Sequence, residues 1–186
     1  GGNAYPPFGN TNSPGTAFND VWNSSDGINW TQVTASAPFI ARTNPAVFVY
    51  DNKMWIVGGR DNGGKYLNEV WNSVDGNTWT QVSVNTPFTE RVSPQVVIHN
   101  NQMILVGGEG ANGTLGDMWV SENKGVDWTK VEAGNVMALP NNFKPRKDFN
   151  MFVKNGSIYI LGGLGTKDVT TFLYPSLTDV WKGTLQ

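Results

Sequence analysis

The sequence predicts an all-β fold made of a repeated, short-stranded antiparallel unit, and three observations carry that expectation. Trp30, Trp79 and Trp128 stand 49 residues apart, each followed by Thr. Trp22, Trp71, Trp119 and Trp181 end the motif Phe/Leu-x-Asp/Glu-Val/Met-Trp. Glycine pairs at Gly58-Gly59, Gly107-Gly108 and Gly162-Gly163 terminate apolar runs, and Gly1-Gly2 stands at the corresponding place. Arg42, Arg91 and Arg146 share a phase, as do Pro45 and Pro94. Self-similarity at a fixed period of this size marks a repeat architecture. No segment carries a helical period.

Taken in order, residues 1–17 are rich in Gly, Pro and Asn and read as a loop. Residues 19–24 alternate and read as a strand. Asp26-Gly27 is a hairpin turn, because glycine accepts the positive φ that tight turns demand. Residues 30–33 return. In the second unit, strands are expected over 42–50, 54–57, 67–73 and 78–82. The run Met54-Trp55-Ile56-Val57 is apolar without alternation, as in a strand covered on both faces. The two glycines that end it point to a backbone of unusual φ, or to a chain segment packed too close for a Cβ. The third unit repeats this over 91–100, 103–106, 117–121 and 127–131, and the fourth over 146–153, 158–161 and 177–181. Short strands joined by turns favour pairing in sequential order.

These units form one domain segment: a partial unit in 1–33, complete units in 42–82 and 91–131, and a partial unit in 146–186. Four strands per unit, with a glycine pair ending the second, resemble kelch repeats. The residues that carry the resemblance are Arg42, Trp55, Gly58, Gly59 and Trp79, then Arg91, Gly107, Gly108 and Trp128, then Arg146, Tyr159, Gly162 and Gly163. The resemblance implies a β-propeller with one four-stranded blade per unit around a central channel. The Asp-Gly…Trp-Thr variant is similar to that of bacterial secreted and surface kelch proteins. Ser24–Trp30 and Ser73–Trp79 are also similar to the Asp-box of sialidase propellers, with one residue fewer between Asp and Trp; the glycine pairs favour kelch. The first unit lacks its innermost strand and most or all of its second, and the last lacks its fourth, so an incomplete ring is expected. Exposed apolar residues should cluster on the flank facing the missing strands, to be completed by a longer polypeptide or by another chain.

Composition narrows the function. The chain has 186 residues, a net charge of −2, 15% charged residues, eight Trp and no Cys. Without a basic stripe, nucleic acid is not an expected partner. No apolar run approaches the ~18–20 residues of a membrane helix, so no membrane insertion is expected. The absence of Cys excludes disulfides and thiol chemistry. It also excludes, within these residues, the copper site of galactose oxidase, the enzyme type best known in the resembled family. His99 reads as a turn residue, since zinc needs three or four ligands. No cofactor or metal is expected. A bias to Asn, Thr, Gly and Trp points to an extracellular or cell-surface location.

Arg42, Arg91 and Arg146 read as loop anchors bonded to backbone carbonyls rather than as an anion-binding ring. Asp26 and Asp75 read as turn caps rather than calcium ligands, and most tryptophans as core between blades. No catalytic constellation is visible. The loops that break the repeat register follow the glycine pairs (60–66, 109–113, 164–174) or precede an arginine (133–144), and function concentrates on such loops. Arg60, Tyr66, Phe143, Phe172 and Tyr174 are their large side chains, expected to be exposed and to hold a ligand. The expected function is a non-catalytic module binding a protein or glycan. The alternatives are a sugar-active propeller enzyme of the sialate epimerase or sialidase type, or a structural component of a surface assembly.

Overall fold

The structure, a computed structural model, describes residues 3–4, 16–83, 86–132 and 139–184. The first unit holds β1 (Asn3–Ala4) and β2 (Thr16–Ala17), paired together, and the hairpin of β3 (Val21–Asn23) and β4 (Thr31–Thr34). The second comprises β5 (Arg42–Thr43), β6 (Ala46–Tyr50), β7 (Lys53–Val57), β8 (Arg60–Asp61), β9 (Val70–Ser73) and β10 (Thr80–Ser83). The third runs through β11 (Gln95–His99), β12 (Gln102–Val106), β13 (Glu109–Gly110), β14 (Gly113–Thr114), β15 (Met118–Ser121) and β16 (Thr129–Lys130). The fourth has β17 (Asn150–Lys154), β18 (Ser157–Leu161) and β19 (Val180–Thr184).

The main sheets pair in sequential order, all antiparallel: β6-β7-β9-β10, β11-β12-β15-β16 and β17-β18-β19. The innermost strands adjoin, β6 beside β11 and β11 beside β17. Among the described residues the sheets do not close into a ring.

Several strand expectations are corrected. Residues 1–17, expected as a loop, contain the paired β1 and β2. The strands expected over 67–73 and 177–181 begin only at Val70 and Val180, and the latter runs on to Thr184. Residues 42–50 are not a single strand, because Asn44 turns the chain at φ 48° ahead of Pro45. Arg42–Thr43 is thereby diverted to pair with Arg60–Asp61, and only Ala46–Tyr50 enters the blade. Ser93 (φ 52°) and Asp148 (φ 51°) break 91–100 and 146–153 in the same way.

Both reasons for the glycine pairs hold. Gly107 and Gly108 lie at φ 60° and 99°. A Cβ on Gly107 would stand 2.8 Å from the Arg146 carbonyl, and one on Gly108 would stand 2.7 Å from that of Val92. The space is taken by the link to the next unit, where Gly108 N–H donates to Arg146 O at 2.9 Å.

The arginines are the anchors that the sequence suggested, with an acid added. Arg91 donates through Nε to Thr89 O and through Nη1 to Gly107 O. It also grips Asp117 with both Nη atoms, at 2.7 and 2.9 Å. Arg146 does the same with Lys144 O, Gly162 O and Asp179, while Arg42 bonds Ile40 O and Gly58 O and reaches Glu69 through Nη2 alone, at 2.7 Å. All three guanidinium groups are buried, and each lies over the phenylalanine three residues earlier: Phe39, Phe88 or Phe143. The acids also accept the indole N–H of Trp71, Trp119 or Trp181. A buried charge is tolerable only when paired and fully bonded, and this fork of donors meets that condition.

Burial alone would raise the Asp117 carboxyl, but the hydrogen bonds and charge of Arg91 outweigh it and hold it below the usual carboxylate range. Glu69 is lowered in the same way. The hydrogen bonds of Arg146, against weaker desolvation, take Asp179 down to about 2. Asp26 and Asp75 cap their turns through backbone amides, Asp75 accepting from Asn77 and Thr78.

Candidate functional site

The repeat delivers three of its register-breaking loops to one place. β8 begins directly after Gly59 and β13 directly after Gly108, so Arg60 and Glu109 occupy equivalent positions. Leu164 follows Gly163 and bridges both Lys147 and Ser176, which brings the 164–176 loop to the same face. Together with the turns after the arginines, these loops line a cavity of about 530 Å³.

One wall carries Arg60 and Tyr66. The Asp61–Lys65 turn is closed by the Asp61 carboxylate accepting Lys65 N–H at 2.8 Å. Arg60 Nε donates to Gly64 O, and its guanidinium lies 5.4 Å from the Tyr66 ring centre. This stack holds the charge against an aromatic face while leaving the side chain exposed. Among the described residues Arg60 is in no ion pair.

The opposite wall is a bonded trio. Glu109 accepts from Lys147 Nζ through one oxygen and from the Tyr174 hydroxyl through the other. Lys147 Nζ sits 3.9 Å from the Tyr174 ring centre. Burial would lower the Lys147 ammonium, but the bond and charge of Glu109 prevail and hold it above its ordinary value. The hydrogen bond to Glu109, aided by burial, raises the Tyr174 phenol. Between the walls lie Asn44, Ser93 and Asp148, the left-handed residues that break the inner strands, with Ser93 N–H bonded to Asn44 O at 2.8 Å.

Of the five candidates from the sequence, Arg60, Tyr66 and Tyr174 line this cavity. Phe172 does not; it is exposed on the 168–174 turn at φ 59°, with Lys167 near its ring. Phe143 is a correction. It is buried beneath Arg146 and edge-on to Trp181 at 5.9 Å, because it is the fourth-unit counterpart of Phe39 and Phe88. The thrice-repeated Phe-x-x-Arg was the signal for that assignment. Residues 133–138 of its loop lie outside the described residues.

Sequence reasoning missed Glu109, Lys147 and the Asn44, Ser93 and Asp148 set. A readable signal existed for Glu109: one fixed position after each glycine pair is filled by Arg60, Glu109 and Leu164, three unlike side chains. A position that keeps its place but not its chemistry is free of the scaffold.

No group of three or more His, Asp or Glu suited to a metal ion occurs among the described residues. His99 is buried at the end of β11. No curated protein matches the chain. Residues 2–182 match the family model described as the KLHDC2/KLHL20/DRC7 Kelch-repeats domain. The repeated arginine anchors, glycine-paired strands and sequential four-stranded sheets agree with that match, and the chain belongs to this Kelch-repeat family.

Proposed function

We infer that the protein is a non-catalytic binding module that receives a protein segment or a glycan in the cavity between Arg60–Tyr66 and the Glu109–Lys147–Tyr174 trio. The observation that carries this reading is the convergence of unlike side chains, two of them tyrosines, at positions the repeat leaves free. Arg60 supplies donors for a carboxylate, carbonyl or hydroxyl group. Tyr66 and Tyr174 offer faces for an apolar or sugar-ring surface.

A sugar-active enzyme is less well supported, because glycoside hydrolysis ordinarily uses a pair of free carboxyl groups. Both oxygens of Glu109 are engaged and Asp61 is committed to its own turn, which leaves Asp148 as the single carboxylate of the cavity with no partner among the described residues. The composition and the Asp-Gly…Trp-Thr turns support an extracellular or surface setting of the bacterial type.

The test is a parallel screen of a glycan array and a displayed peptide library, with titration of the strongest binder. Arg60→Ala with Tyr66→Ala should weaken binding by at least about tenfold while the melting temperature stays within about 2 °C. Binding unaffected by both substitutions, or turnover of a sialoside, would overturn the reading.

A further inference from the structure

The cavity carries two sets of positions that the repeat makes equivalent, and their side chains specify the kind of ligand it takes. Arg60, Glu109 and Leu164 directly follow the glycine pairs of successive units. Asn44, Ser93 and Asp148 stand two residues after the buried arginines, at φ 48°, 52° and 51°. This second set turns the chain from each arginine into the innermost strand of its sheet. A left-handed φ is best met by a short polar side chain, and Asn44 and Ser93 meet it without a charge. The backbone therefore does not require a carboxylate at Asp148.

Nor is that carboxylate spent on the scaffold. Asp148 is exposed on the cavity and in no ion pair among the described residues. The other two carboxylates of the cavity are occupied, Glu109 by Lys147 and Tyr174, and Asp61 by the amide of Lys65. Lys147 and Glu109 offset each other. Arg60 is then outnumbered by Asp61 and Asp148, and the cavity keeps an excess of negative charge. A ligand that satisfies it offers an acceptor to Arg60 and a cation to Asp148. A polypeptide carries both, as a main-chain carbonyl and as a basic side chain whose apolar stem can lie along a tyrosine. A neutral sugar offers Asp148 only hydroxyl groups.

We propose that the cavity takes a polypeptide segment bearing a lysine or arginine, its cation paired with Asp148 and a neighbouring carbonyl bonded by Arg60. This rests on the cavity being the binding site and narrows the ligand to a basic peptide. Asp148 sets the specificity, because the same excess of negative charge disfavours a purely acidic segment.

The probe is a displayed library of random peptides, panned on the full chain, with enriched sequences titrated as synthetic peptides. These should carry Lys or Arg at one recurrent place, and Gln there should weaken binding by about fivefold. Asp148→Asn in the protein should give the same loss, and the two changes together should cost no more than either alone. Asparagine already holds the equivalent place at Asn44, so this variant keeps the turn and the melting temperature. Asp148→Lys should select acidic peptides instead; Lys124, at φ 58°, shows that lysine accepts such a backbone. Peptides weakened by Arg60→Ala but without a basic preference, or indifferent to Asp148→Asn, would overturn the proposal and leave the cavity as the binding site. No enriched peptide, or peptides indifferent to Arg60→Ala and Tyr66→Ala as well, would overturn both.

Discussion

The contacts between successive units differ in size, and the difference shows how much of a residue's fate is set by its neighbour rather than its own sequence. Between the third and fourth units lies a buried cluster built on Ile104, Val106, Phe149, Met151 and Ile160. Between the second and third lies one built on Trp55, Val57, Val70, Leu105 and Trp128. Between the first and second, among the described residues, Ala37, Phe39, Ile56 and Trp71 form the buried cluster. Equivalent positions report the same gradient. Val47 and Val49 of the second unit are 69% and 73% exposed, whereas Val96 and Ile98 are half-buried and Met151 is buried. The strand is the same in each case. What differs is whether two inner strands of a preceding unit cover it.

The contrast can be broken most forcefully at the acids. Asp117→Ala strands the Arg91 guanidinium, buried and short of its partner, and should cost about 3–5 kcal/mol in chemical denaturation. Asp20→Ala removes the equivalent acid where no arginine waits, and should stay within about 0.5 kcal/mol. Trp128→Ala should likewise cost about 3–5 kcal/mol, and Trp30→Ala under about 1 kcal/mol. Equal losses in either pair would mean that the first unit is as well covered as the third.

Gly107→Ala probes the joint rather than the face. Its positive φ and the close Arg146 carbonyl should make the cost at least about 2 kcal/mol, measured by the shift in denaturation midpoint. Gly27→Ala, at a similar φ but with open space around its Cβ, should cost about 1 kcal/mol, the backbone share alone.

Acid titration separates the two kinds of depressed carboxylate. Glu69, Asp117 and Asp179 all have folded values below their unfolded ones, near 4. Their contribution is therefore complete above about pH 4 and is lost as pH falls toward the folded value, about 2 for Asp179. Asp179→Asn should flatten the stability curve over that window. Asp26 is lowered by its own turn amides, so its titration, followed by NMR, should be unchanged by Asp179→Asn. The smallest expected effect is Val96→Ala at about 1 kcal/mol, against none measurable for Val47→Ala.

Much of this fold was legible because kelch-type units repeat their scaffold chemistry at fixed spacing. Gly58-Gly59 has three counterparts and Arg42 and Trp79 have two each, and their roles as joint, anchor and core followed from elementary sterics and donor geometry. The expected strand 42–50 failed at Asn44, since a non-glycine residue at positive φ carries no compositional mark of its own. Phe143 was misread for a different reason: the irregular loop before it hid its register, although Arg146 three residues on preserved it.

The cavity was half legible. Arg60, Tyr66 and Tyr174 stood out as unexplained by the repeat. Lys147 did not, because its pairing with Glu109 spans 38 residues and depends on the third and fourth units being adjacent. The exposure of Trp22 and Trp30 could not be read from their motifs, which match those of their buried counterparts.

The central claim is that identical motifs differ only in coverage, and tryptophan solvent contact measures that directly. With 5-fluorotryptophan incorporated and each resonance assigned by single Trp→Phe substitutions, the ¹⁹F shift between H₂O and D₂O can be read residue by residue. Trp22 and Trp30 should show the large isotope shift of exposed indoles, and Trp55, Trp71 and Trp128 little or none. A shift at Trp22 and Trp30 as small as that at Trp128 would contradict the account, because the first unit would then already be covered.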